Sequence, residues 1–156
     1  MDQFFIICAK YLFVLPLLIA GVFFIKQPRK IQIKIILFGG ACAIIAYVIA
    51  LLAGQLYFDP RPFVQFHFKP LIEHDTENGF PSDHVLLVAT VAAVVSVFNK
   101  RLSVFLWICT LIIAFARVYV GVHHYRDVIM SIAIASLVTF ILYLVFKKKL
   151  QSEIVL

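Results

Sequence analysis

Residues 35–58 read IILFGGACAIIAYVIALLAGQLYF, a stretch without a single Asp, Glu, Lys or Arg. A helix needs about 20 predominantly apolar residues to cross the hydrocarbon core of a bilayer. A second charge-free run covers 128–146. Working outward, apolar stretches recur at about 4–25, 33–57, 83–99, 103–121 and 126–146, and their lengths predict five transmembrane helices. The chain is 63% hydrophobic and 14% charged, whereas a soluble domain carries about a quarter charged residues. The expected fold is an all-α integral membrane helix bundle, with residues 1–156 forming a single membrane-embedded domain.

The net charge of +6 raises nucleic-acid binding, and the placement of the charge argues against it. Lys26, Arg29, Lys30 and Lys34 form one cluster, Lys100 and Arg101 a second, Lys147, Lys148 and Lys149 a third. Each lies at the end of an apolar run, and all three fall on one side of the bundle. Cytoplasmic loops carry the excess of Lys and Arg, so that side reads as cytoplasmic, with the N-terminus outside and the C-terminus inside. Asp2 before the first run, Lys10 within it and the lack of a small-residue cleavage site read as a retained first helix, not a signal peptide. Cys8, Cys42 and Cys109 lie within apolar runs at no metal-ligand spacing, and read as small buried hydrophobes.

The remaining joints, 58–82 and 121–126, fall on the opposite face. At or beside them lie three polar clusters: Arg61-Pro62, then Pro81-Ser82-Asp83-His84, then His123 and Asp127 with Arg117 about one turn below the end of its span. Ionisable groups within membrane segments are costly and mark function. Pro60, Pro62 and Pro70, interleaved with Phe58, Phe63, Phe66, Phe68 and Phe80, make 58–82 a stiff segment, and Arg61 is held extended within it. Ser82 can cap the helix that follows, with Asp83 in its first turn. The N–H groups of that first turn suit an oxyanion. His123 and Asp127 are four residues apart and can touch on a helix face, which would fix the imidazole tautomer and leave one nitrogen as nucleophile or base. His124, three residues from Asp127, is an equal candidate by spacing. Arg117 lies where a guanidinium can fork a phosphate.

These motifs, Arg61-Pro62, Pro81-Ser82-Asp83-His84 and Arg117-x5-His123-x3-Asp127, resemble in order and spacing those of the type-2 phosphatidic acid phosphatase superfamily. The Asp83 variant, the Pro60-Arg61-Pro62-Phe63 stretch and Arg117 to His123 are similar to the short bacterial undecaprenyl-diphosphatases linked to bacitracin resistance. The resemblance covers residues 54 to 130. It implies a membrane hydrolase acting on undecaprenyl diphosphate or a related lipid phosphate in cell wall biogenesis. It implies roles as well: His123 as the nucleophile that forms a phosphohistidine, Asp127 orienting it, His84 as acid and base. Arg61, Arg117, Ser82 and the Asp83 backbone would bind phosphate. It picks His123 over His124, requires no metal or cofactor, and places the protein in the bacterial plasma membrane with its site on the extracytoplasmic side.

Two features depart from the family. The lysine that usually stands seven positions before the motif arginine is here Gly54, so Lys69, Arg126 or His124 is the expected accessory. Many members have six spans, against the five read here. Two further readings stand beside the hydrolase. One is a phosphatase or phosphotransferase acting on phosphatidylglycerol phosphate, phosphatidic acid or another lipid. The other is a metal-binding or transport protein using His67, His74, Asp75, Asp83 and His84.

Overall fold

The computed structural model describes residues 1–151, so residues 152–156 of the expected single domain lie outside the described residues. Pro16 decides the shape of the first span. Its nitrogen cannot donate to the carbonyl four residues back, and its ring would clash with that carbonyl in a straight helix. The chain breaks there: α1 (Asp2–Tyr11) and α2 (Val14–Ile25) meet at 44°. The Leu12 carbonyl accepts from the Leu15 N–H at 3.1 Å instead. The one helix expected over 4–25 is therefore a bent pair.

The other long elements fall near their predicted places. They are α3 (Arg29–Leu56), α5 (Asp83–Phe98), α6 (Lys100–Tyr119) and α7 (Tyr125–Gln151), with a single turn, α4 (Pro62–Gln65), inside the long loop. Pro62 opens α4 at a position where its missing N–H costs nothing. Asn99 caps α6, its side chain accepting from the Leu102 N–H at 3.0 Å. By length and composition α3, α6 and α7 can each cross a membrane, and the α1–α2 pair makes a fourth crossing if it counts as one bent span. The fifth expected span, α5, has 16 residues, about 24 Å of helix, and is short for a crossing.

Small residues put α5 at the centre. Its Ala, Val and Thr side chains let neighbours approach closely, and it packs against α2, α3, α6 and α7. Val85, Val88, Ala89 and Ala92 are fully buried. Its polar groups find partners inside the bundle, as they must where no water is available. Thr90 Oγ1 donates to the Leu86 carbonyl at 2.8 Å, and Ser103 Oγ of α6 donates to the Ala92 carbonyl at 3.0 Å. The outer surface is the reverse. Ile36, Leu37, Ile44, Leu137, Phe140 and Ile141 are each more than half exposed, an apolar skin that suits lipid and not water. Cys8, Cys42 and Cys109 are buried free thiols.

Two hydrogen-bonded contacts define the ends of the bundle. Lys34 Nζ donates to the Leu150 carbonyl at 3.2 Å, which sets the start of α3 beside the end of α7. At the other end Ser131 Oγ lies 2.8 Å from the Ser82 carbonyl and 2.9 Å from that of Asp127, locking the start of α5 to the start of α7. The loop between α3 and α5 lies over this second end.

Candidate active site

The loop is closed at its stem by one carboxamide. Asn78 Nδ2 donates to the carbonyls of Gly54 at 2.8 Å and Tyr57 at 3.0 Å. Asn78 Oδ1 accepts the N–H groups of Asp59 at 2.9 Å and Phe80 at 3.0 Å. The exit of α3 and the approach to α5 are thereby stitched together. Leu71 N–H donates to the Val120 carbonyl at 3.1 Å, and Ile72 is buried with Ala116, Val120 and Val122, so the loop's middle is fastened to the end of α6.

Pinned in this way, the loop turns Arg61 inward. Arg61 is 6% exposed, and Arg117 in the last turn of α6 is 3% exposed. His123 follows Gly121, whose φ of +83° suits a glycine and whose added Cβ would meet the Phe68 ring at 2.7 Å. The two guanidiniums converge on one imidazole nitrogen: Arg117 Nη2 is 3.3 Å and Arg61 Nη1 is 3.5 Å from His123 Nε2. Guanidinium groups only donate, so Nε2 is the accepting nitrogen and the proton sits on Nδ1. There it donates to the Gly79 carbonyl at 2.9 Å, with Asp127 Oδ2 at 3.3 Å. Burial, then the charges of Arg117 and Arg61, push the His123 pKa well below its ordinary value. The ring is thus neutral, with its Nε2 lone pair turned toward the two guanidiniums.

His123 and Asp127 do not share a helix, because α7 begins only at Tyr125. Asp127 instead reaches back from the first turn of α7, and its Oδ2 also accepts the His124 N–H at 2.8 Å. His124 had equal standing by spacing. Its ring turns the other way, with Nδ1 3.2 Å from Asp59 Oδ2 and without hydrogen-bond alignment. Arg126, expected as an accessory, is held by the same Asp59 through Nε and through Nη2 at 2.6 Å. It neutralises that buried acid and does not reach the arginine pair. Lys69 is exposed on the loop. Gly54 admits no side chain: a Cβ there would lie 2.9 Å from the Phe80 carbonyl oxygen.

Ser82 stands at the N-cap of α5, yet its side chain makes no capping bond. Its Oγ is buried without a protein partner, as is Nε of Arg117. The expected cap role is replaced by a hydroxyl left available to the pocket. Asp83 opens α5 with its side chain exposed. His84 packs edge-to-face on Phe13, ring centroids 5.1 Å apart, within electrostatic reach of Arg117, His74 and Arg61.

Sequence reasoning missed Gly79, Asp59 and Asn78, and took His74 and Asp75 only as candidate metal ligands. Gly79 is needed for space: a Cβ would sit 3.3 Å from both Asp127 Oδ2 and the Asp59 carbonyl oxygen. The Asn78-Gly79 dipeptide, a turn signal, was the available clue. Asp75 Oδ1 takes the Nε and Nη2 edge of Arg61 at 3.2 and 3.0 Å. Burial acts on Asp75 most strongly and upward, but Arg61 and His74 together hold its pKa below the ordinary carboxylate value. Among the described residues, the group close enough to hold a metal ion is Asp59, His124 and Asp127, with ligand atoms within 4.8 Å of one another. The Arg126 guanidinium on Asp59 opposes a cation there.

Undecaprenyl-diphosphatase BcrC of Bacillus subtilis is 33% identical over 110 residues, 70% of this chain and 57% of its own length. Putative undecaprenyl-diphosphatase YbjG of Escherichia coli is 30% identical over 106 residues, 67% of this chain and 52% of its own length. The chain spans about half the length of these relatives. The crystal structure of Aquifex aeolicus LpxE superposes with a TM-score of 0.71 at 25% identity, covering 90% of this chain and 84% of that one. A transmembrane PAP2-type phosphatidylglycerolphosphate phosphatase from Bacillus subtilis superposes with a TM-score of 0.65 at 22% identity, covering 97% and 79%. The PAP2 superfamily profile matches residues 35–151, and with the arginine and histidine cluster lying inside that range the chain belongs to the PAP2 superfamily.

Proposed function

We propose that this chain, acting as one membrane-embedded domain, hydrolyses undecaprenyl diphosphate or a closely related lipid diphosphate to the monophosphate and inorganic phosphate. The observation that carries the reading is the His123 ring, its Nδ1 proton held by Gly79 and Asp127 and its Nε2 facing two buried guanidiniums. The relatives' names point to the same substrate class.

The Nε2 lone pair attacks the terminal phosphorus as the bond from that phosphorus to the bridging oxygen breaks. The leaving lipid monophosphate takes a proton from His84. Water then attacks the phosphohistidine, His84 takes the proton of that water, and the phosphorus–nitrogen bond breaks to free Nε2. Splitting one displacement into two lowers each barrier. Arg61 and Arg117 hold the equatorial oxygens, where charge is concentrated. Ser82 Oγ and the first N–H groups of α5 add donors. Asp127 stabilises the imidazolium formed when Nε2 carries phosphorus. No step calls for a metal. The basic helix ends support a site at the extracytoplasmic face of a bacterial plasma membrane.

The test is phosphate release by the purified chain in detergent, across prenyl diphosphates, phosphatidylglycerol phosphate and phosphatidic acid. His123→Ala should lower turnover at least about 10³-fold with folding intact, and Asp127→Asn by about 10²–10⁴-fold. Vanadate should inhibit and EDTA should not. Full activity in His123→Ala would remove the nucleophile assignment. Activity lost to EDTA and restored by zinc would instead favour a metal at Asp59, His124 and Asp127.

A further inference from the structure

His74 sits inside the cluster although the motifs pass it by. Its loop neighbours Glu73, Asp75, Thr76 and Glu77 are exposed, while His74 itself is half-buried. The placement is fixed from both sides, by buried Ile72 before it and by the Asp75 contact with Arg61 after it. His74 Nε2 lies 2.8 Å from Arg117 Nη2, the same nitrogen that lies 3.3 Å from His123 Nε2. Two imidazole nitrogens thus flank one guanidinium nitrogen, with ring centroids 6.2 Å apart. One belongs to the ring read as the nucleophile. The other has no place in the transfer of a single phosphate.

We propose that His74 is a specificity residue: it receives the second phosphate, the one that stays on the lipid, and so tunes the site to diphosphates over monophosphates. This rests on the phosphatase reading above. A diphosphate attacked at its terminal phosphorus must lodge its inner phosphate beside the cradle of Arg61, Arg117 and Ser82. His74 is the polar ring at that edge and lies within electrostatic reach of His84, which the mechanism assigns to the leaving oxygen. Because Arg117 can only donate, the free site holds His74 with Nε2 accepting and the proton on Nδ1. Burial, then Arg61 and Arg117, keep the His74 pKa below its usual value. Arrival of the inner phosphate reverses that balance, since opposite charge nearby favours the protonated ring. His74 can then donate to a phosphate oxygen in place of accepting from Arg117.

A mere prop for Arg117 would behave differently. Arg117 holds the attacked phosphate of either substrate, so loss of a prop should slow both alike. The experiment compares kcat/KM for farnesyl diphosphate and farnesyl monophosphate in the wild-type chain, His74→Ala and His74→Gln. The expected result is a loss of about tenfold, ~1.4 kcal/mol, for the diphosphate and under about twofold for the monophosphate. Inhibition by methylenediphosphonate should weaken in parallel while inhibition by orthovanadate holds. Equal losses on both substrates, or none, overturn the proposal. If neither variant folds, wild-type His74 is modified with diethyl pyrocarbonate and read by peptide mass spectrometry. Protection by methylenediphosphonate but not by inorganic phosphate supports the assignment, and equal or absent protection overturns it. A wild-type chain that releases phosphate from neither substrate would sink the phosphatase reading itself. One that hydrolyses the monophosphate as well as the diphosphate would sink only the specificity claim.

Discussion

The form of an imidazole decides whether it can attack. A nucleophilic His123 needs a bare Nε2, and two donors pointed at it ensure that. The consequence reaches beyond catalysis. His123 and His74 are both held neutral below their usual range, first by burial and then by the arginine charges. In the unfolded chain each takes up a proton near pH 6.5, and in the folded chain only at lower pH. Below about pH 6.5 the unfolded state therefore binds more protons, and stability falls as the pH falls. Asp75, whose pKa is lowered, adds to the same trend in a more acidic range. Thermal melts in detergent from pH 7.5 to pH 5, run side by side, should show His74→Asn gaining midpoint relative to the wild type as the pH falls. A difference that does not change with pH would contradict the buried neutral His74. The sequence already named His123, Asp127, Arg61 and Arg117, because charged and ring side chains are costly in an apolar chain. It could not name the Gly79 carbonyl as the nearer partner of Nδ1, since every residue has a carbonyl and only the fold selects one.

Elements position these groups through a few close approaches. Gly121 is the sharpest, with φ +83° in the turn that delivers His123. Gly121→Ala meets the Phe68 ring at 2.7 Å. That ring is partly exposed and can swing aside, but the positive φ persists. The backbone penalty for a non-glycine residue there is about 1–3 kcal/mol, so the melting midpoint and kcat should both fall. Adding Phe68→Ala should recover the steric part alone, as a double-mutant cycle would measure; full recovery would mean that backbone strain is negligible. Helix placement was largely legible because apolar runs of this length have few alternatives in a membrane. The break at Leu12–Phe13 was signalled by Pro16 and passed over, since the hydropathy of the run is continuous through it. The shortness of α5 was hidden for a related reason: hydropathy does not report which helix its neighbours will enclose. The missing Ser82 capping bond belongs here too, because a serine before a helix reads as a cap whatever its hydroxyl faces.

For the molecule as a whole, the three basic clusters were assigned to one end, and the Lys34–Leu150 contact sets two of them together in space. The site lies at the other end. Cysteines introduced at exposed Glu77 and at Lys148 should react with a membrane-impermeant maleimide on opposite sides of the membrane, Glu77→Cys in intact cells and Lys148→Cys only after permeabilisation. The reverse pattern would invert the proposed orientation.

Asn78 carries a last consequence. One side chain serves two carbonyls and two N–H groups at the neck of the loop, so the arginine–histidine cluster behaves as a cartridge seated in the bundle. Its shape is insulated from the breathing of the lipid-facing helices for as long as that knot holds. Asn78→Ala should therefore separate two events that coincide in the wild type: activity should vanish on warming while circular dichroism still reports intact helices.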